Sequence, residues 1–167
     1  MVDVRAGQRL TVGLLQSLTP QAPQTWTPNW TTSTGSATPA FGDSDVDGEY
    51  QVFGRLCIGR IDINFGSTTD FGGGTTSDNW RFSTPVTALR TNEDVGRGEA
   101  WEDSVSNGAR CGIRIRLTSV DTFELEVSSG RADGTAVAAN GLVDAQTPWA
   151  WAVGDNLSFH FAYPTAT

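Results

Sequence analysis

Ala109-Arg-Cys-Gly-Ile-Arg-Ile-Arg-Leu-Thr-Ser-Val-Asp-Thr-Phe-Glu-Leu-Glu-Val-Ser128 is the stretch whose reading decides the fold. Ile113, Ile115 and Leu117 alternate with Arg114 and Arg116, and Phe123, Leu125 and Val127 alternate with Glu124 and Glu126. A period of two marks strands with one buried face. A turn near Val120 sets Leu117 against Phe123, Ile115 against Leu125 and Ile113 against Val127. The same register sets Arg116 against Glu124 and Arg114 against Glu126. One register therefore matches apolar partners on one face and opposite charges on the other, which predicts an antiparallel hairpin.

Working outward, Gly98 to Ser106 reads as a strand joined to Ala109 by Asn107-Gly108, a two-residue hairpin signal. That register stands Trp101 near Arg114 and turns Glu102 inward, so either it is off by one or the charged face is itself covered. Downstream, Asp133-Gly134 and Asn140-Gly141 signal turns, and Trp149 and Trp151 follow Pro148. Gly154-Asp155 leads into a strand in which Leu157, Phe159, Phe161 and Tyr163 alternate with Asn156, Ser158, His160 and Ala162. Upstream, Tyr50 to Phe65 reads as a strand pair or one bent strand. Leu56 and Ile58 lie in one phase and Ile61, Ile63 and Phe65 in the other, which predicts a bulge at Gly59-Arg60. Gly66 to Asn79 reads as a loop, Trp80 to Thr84 as a strand stopped by Pro85, and Leu89 to Arg97 as another loop. Many short strands between turns predict an all-β, antiparallel β-sandwich, jelly-roll-like, over residues 42–167. Its expected core is Ile113, Ile115, Leu117, Phe123, Leu125, Val127, Leu157, Phe159 and Phe161.

Residues 1–22 read as a separate docking arm, helical or extended. Leu10, Leu14, Leu15 and Leu18 recur at helical spacing behind a cap at Thr11, and Pro20 ends the pattern. A helix of about two turns is marginal alone and needs a surface to lie on. That surface is its own domain or another protein. Residues 23–41 are a Thr/Pro-rich linker in composition. Trp26 and Trp30 do not suit a bare linker, and they place a first strand near Gln24 to Thr32.

The 11 basic residues are all Arg, against 19 acidic ones, for a net charge of -8. A nucleic-acid partner calls for a basic footprint, and an anionic membrane surface calls for the same, so neither is expected. The first residues carry no apolar leader-like run. Cys57 and Cys111 fall in strand-like runs and read as buried free thiols, with a disulfide requiring neighbouring strands.

Few residues suggest chemistry. Asp43, Asp45 and Asp47, followed by Gly48, match the first half of a calcium loop, but its twelfth position is Gly54 and helical flanks are missing. An acidic turn entering a strand is the plainer reading. His160, the single histidine, alternates onto a polar strand face beside Ser158 and forms no triad there. Glu99, Glu102 and Asp103 flank Trp101, yet spacing alone does not set the carboxylate separation a glycosidase needs. With no phosphate loop or dinucleotide fingerprint, no cofactor is expected and the chain reads as a non-enzyme. Trp101, with the loops around Gly72 to Gly74 and Asp94, is the candidate glycan contact.

Thr147-Pro-Trp-Ala-Trp-Ala-Val-Gly-Asp-Asn-Leu-Ser-Phe-His-Phe-Ala-Tyr163 resembles the final strand of small structural proteins of tailed phages of actinobacteria. Asn64-Phe-Gly-Ser-Thr-Thr69, Trp80-Arg-Phe-Ser-Thr-Pro85 and Ala6-Gly-Gln-Arg-Leu-Thr-Val-Gly-Leu-Leu15 resemble them as well, and the resemblance in style and spacing extends over about half of the chain. The resemblance implies a virion-surface protein made in the host cytoplasm: an N-terminal arm on the shell or tail, and a β-sandwich knob, often trimeric. The implied partners are further copies of itself and the major capsid protein or a tail protein. The chain lacks the shaft of a long tail fibre, which favours a capsid decoration or minor capsid protein over a receptor-binding tail tip.

Overall fold

The Ala109–Ser128 hairpin forms in the register that its two faces dictate. In this computed structural model, which describes residues 22–73, 78–128, 131–132, 135–136 and 141–166, Ile113 pairs with Val127, Ile115 with Leu125 and Leu117 with Phe123. Arg114 stands opposite Glu126 and Arg116 opposite Glu124. Arg114 keeps its directly opposite partner, but Arg116 reaches diagonally to Glu126. Glu126 takes Arg114 at 2.7 Å and Arg116 at 3.8 Å, while Glu124 binds Arg81 at 3.0 Å from a further strand. That strand covers Glu124, which is buried although it points away from the core.

In chain order the strands are β1 (Gln24–Thr25), β2 (Trp30–Thr32), β3 (Asp45–Phe53), β4 (Leu56–Asn64), β5 (Trp80–Ser83), β6 (Asp94–Trp101), β7 (Arg110–Ser119), β8 (Thr122–Val127), β9 (Arg131–Ala132), β10 (Thr135–Ala136) and β11 (Asn156–Pro164). Among the described residues there is no helix, and the fold is all-β and antiparallel. β9 and β10 pair with each other, and the other nine strands make one sheet in the order β1-β3-β4-β11-β6-β7-β8-β5-β2. The two edge strands, β1 and β2, are consecutive pieces of one segment. They are separated only by residues 26–29, a span of at most about 18 Å between Thr25 and Trp30. The sheet is therefore curled until its edges nearly meet. Trp26 donates its amide to Gly48 on one side at 2.7 Å, and Asn29 accepts the Ser83 amide on the other at 2.9 Å.

The curl encloses the core. All nine residues expected there are buried, joined by Ile61, Ile63, Trp80, Phe82 and Tyr163. Trp30 is buried among aromatic rings, and half-buried Trp26 meets Phe123 and Phe161 edge-on at 6.3 and 5.5 Å. The Tyr163 hydroxyl donates to the Val86 carbonyl at 2.7 Å, tying the loop after β5 to β11, and burial pushes its pKa up.

Three local expectations are corrected. β4 carries no bulge. It pairs residue for residue with β3 and β11, with Cys57, Ile61 and Ile63 inside and Leu56 and Ile58 outside. Gly59 holds the inward place between them because the Phe161 ring fills it: a Cβ there would lie 2.5 Å from the ring's Cζ. Next, β6 begins at Asp94, inside the expected loop, and stops at Trp101 rather than running to Ser106. Residues 102–109 form a longer turn in which Asn107 takes a left-handed conformation, φ 61°. The register consequently shifts, and Trp101 pairs with Arg110 instead of Arg114. The irregularity of this part of the sheet sits in β6 itself, between Asp94 and Gly96.

Cys57 and Cys111 are buried and free. They lie on β4 and β7, with β11 and β6 between them, about 14 Å apart across the strands and offset by six residues along them, too far for a disulfide. The arm residues Leu10, Leu14, Leu15 and Leu18, and the Asp133-Gly134 turn, lie outside the described residues.

Candidate functional site

Inside the nine-stranded sheet, fourth in order, lies β11, and its outward side chains are short: Asn156, Ser158 and Ala162, interrupted by His160. Its neighbours present longer ones, Arg60, Asp62 and Asn64 from β4 and Arg97, Glu99 and Trp101 from β6. Short residues between longer walls leave a trough along the outer face of β11. Its deeper end encloses about 400 Å³ and is lined by Asp45, Asp47, Asp62, Asn64, Trp101, Asn156 and Ser158, with backbone from Ile63 and Leu157.

Strand pairing fixes the positions. One row across the sheet reads Asp45, Asn64, Asn156, Trp101, Arg110, and the next reads Asp47, Asp62, Ser158, Glu99. The third reads Glu49, Arg60, His160, Arg97, Arg114. In that third row Arg60 donates to Glu49 at 2.9 Å and to Asp47 at 3.0 Å, and it also holds Asp62. These exposed pairs are screened by solvent and add little stability, but they hold the Asp47 and Asp62 carboxylates. Arg97 holds Asp94, and that hydrogen bond, ahead of opposing burial, lowers the Asp94 pKa.

Trp101 is half-buried, and the Arg110 guanidinium carbon lies 3.9 Å from its ring centre. Such a cation–π contact is worth about 0.5–1 kcal/mol at a solvated site, and it restrains the indole. Glu99 stands beside this pair, 3.9 Å from Arg110. Glu102 turns back to accept the Ala109 amide at 3.3 Å, and exposed Asp103 lies in the turn. Of the loops expected beside Trp101, Gly74 lies outside the described residues and Asp94 opens β6 on the third-row end of the trough.

The acidic run of the calcium-like pattern is drawn apart. Asp43 sits before β3, where its carboxylate accepts the Thr68 amide at 2.7 Å and the Thr68 and Ser67 hydroxyls at 2.9 and 2.8 Å. The Thr68 amide is the chief reason its pKa falls to about 2. Asp45 and Asp47 alternate outward along β3, and Asp47 is committed to Arg60. No cluster of three or more metal-ligating side chains forms among the described residues.

Ser158 and His160 share the outer face of β11, with His160 exposed between Arg60 and Arg97. Sequence reasoning named Trp101, Asp45 and Asp47 but missed Asp62, Asn64, Asn156 and Ser158 as a group. The alternation of the final strand already put Asn156 and Ser158 on its polar face. Only the placement of β11 between β4 and β6, a long-range pairing, brings the others beside them.

Comparison with protein-family models, curated proteins and solved structures finds no match for this chain.

Proposed function

We propose that the chain is a non-enzymatic structural protein of a bacteriophage virion: a trimeric capsid decoration or minor capsid protein, attached to the shell through its N-terminal arm. In this reading the curled sheet is the jelly-roll-like β-sandwich knob, it sits on the virion surface, and the partner is the major capsid protein or a tail protein. The observation that carries the reading is where the phage-like segments fall. The Thr147–Tyr163 segment contains β11 up to its penultimate residue, an internal strand of the sheet, and Trp80–Pro85 contains β5. Two of the four segments that carry the resemblance therefore contain strands of the sheet. The arm fits as tether because a short helix with four leucines is too short to be stable unsupported, and three arms on a trimer multiply a weak contact.

The test is a chain starting at Gln24. That chain keeps β1 and every later strand, so it should fold and remain trimeric by size exclusion with light scattering, yet fail to bind particles lacking the protein. A truncated chain that still decorates such particles refutes attachment through the arm, and a monomeric full chain refutes the trimer. The trough over β11 favours a second reading, a receptor-binding knob at the tail tip that contacts host glycan.

A further inference from the structure

We propose that the deep end of the β11 trough is a binding site for an uncharged saccharide, with the ring packed on Trp101 and its hydroxyls met by Asp45, Asn64 and Asn156. The proposal deepens the receptor-binding reading and rests on it only for biological purpose; the site stands on its own geometry.

Three features of the trough select this class of ligand. The first is shape. At about 400 Å³ it has room for one or two sugar rings, and its lining comes from strands of one rigid sheet rather than from loops. The second is the mixture of groups. A pyranose offers an apolar face of C–H bonds and a rim of hydroxyls that both donate and accept. Trp101 supplies an aromatic surface, already restrained by Arg110 at 3.9 Å, so little motion is lost when a ring packs on it. The Asp45 carboxylate and the Asn64 carboxamide stand in the same cross-strand row as Trp101, and neither side chain has a hydrogen-bond partner among the described residues. Asn156 spends one amide hydrogen on the Gly154 carbonyl at 2.8 Å, which fixes its orientation and leaves its carbonyl oxygen to accept.

The third feature is charge. Asp47 and Asp62 already share Arg60, which leaves Asp45 as the unengaged carboxylate of the trough. A single such carboxylate flanked by carboxamides is a poor cage for a divalent cation, which takes about six or more oxygens. The surrounding excess of acidic groups, Asp45, Asp47, Asp62 and Glu99 against Arg60 and Arg110, repels phosphates and uronic acids. What remains is a polyol without negative charge.

The experiment screens the full-length protein against an array of neutral hexose and pentose oligosaccharides, with oligogalacturonides as the anionic control, and follows hits by calorimetry. The expected result is binding to at least one neutral saccharide and none to the oligogalacturonides. Trp101→Ala, Asn64→Ala and Asp45→Ala should each weaken binding at least tenfold. Asn64 and Asp45 are exposed, so their variants keep the native melting temperature and carry the test should Trp101→Ala unfold. No neutral saccharide bound at millimolar concentration, equal binding of the oligogalacturonides, or affinity unchanged in the Asn64 and Asp45 variants would each overturn the site. Particle attachment by the arm is measured separately, so failure here leaves that reading standing and identifies the trough as plain surface.

Discussion

Replacing Trp30 with alanine should open the sheet at its closing seam. Trp30 is 5% exposed, and its ring lies within 4.7–6.4 Å of those of Trp80, Phe41, Phe82, Phe65 and Phe71. It belongs to β2, whose only sheet partner is β5, through Phe82, Arg81 and Trp80. A buried Trp→Ala change costs about 3–5 kcal/mol. Aromatic contacts add about 0.5–1.5 kcal/mol per pair beyond area, so the upper part of that range is expected. For a chain of this size each kcal/mol moves the melting temperature by about 2–4 °C, which gives a fall of roughly 6–20 °C. Trp30→Phe is the control. The Trp30 Nε1 has no hydrogen-bond partner among the described residues, so this change removes none of their hydrogen bonds and keeps an aromatic ring; it should cost half as much or less. Urea unfolding followed by circular dichroism measures both variants. Amide exchange locates the damage: the Ser83 amide, which donates to Asn29, and the Ser33 amide, which donates to Asn79, should lose protection first in Trp30→Ala. A cost below about 1 kcal/mol, the size of an ordinary substitution, would refute the view that this ring locks the two edges together.

Two further outcomes follow from buried or hydrogen-bonded groups. Asp43 has its pKa lowered from 3.8 to about 2, so its contribution to stability is complete above about pH 4 and is lost as pH falls through 2. Asp43→Asn should therefore flatten the drop in melting temperature between pH 5 and pH 2, and an unchanged acid limb would discount the Thr68 and Ser67 contacts. Burial, helped by the Glu99 charge, pushes the Cys111 thiol to about 11, and burial also raises Cys57. Both should resist a thiol reagent at pH 8 in the native protein and titrate as two thiols in guanidinium; rapid native labelling would contradict their enclosure.

The legible parts of this fold are those whose signals are local. The Ile113–Val127 hairpin declared its register because two faces had to be satisfied at once, and Leu157 to Tyr163 declared its inner face by alternation alone. Gly59 shows what alternation misses. An inward position left empty for the Phe161 ring looks, in sequence, like a change of phase. Asn107-Gly108 misled in another way: Asn107 does take the left-handed turn conformation, but within the longer 102–109 connection, and local preference does not count the residues of a loop. The candidate trough was legible only as Trp101, Asp45 and Asp47. Its remaining members come from strands paired across long sequence separations, Asn64 with Asn156 and Asn156 with Trp101, which no window of sequence contains.

The internal place of β11 also sets an order of events during synthesis. β1, β3 and β4 precede it on one side of the sheet, and β6, β7, β8, β5 and β2 precede it on the other. Until residues 156–164 leave the ribosome, these are two groups with facing unpaired strands, β4 and β6, each a template for the wrong neighbour. The nascent chain therefore waits with sticky edges, and its folding should be slow, because the decisive pairings close loops of 50 residues and more, such as Trp101 with Asn156. Ribosomes that stall before β11 would release chains that aggregate, so only those carrying that strand could close the sheet.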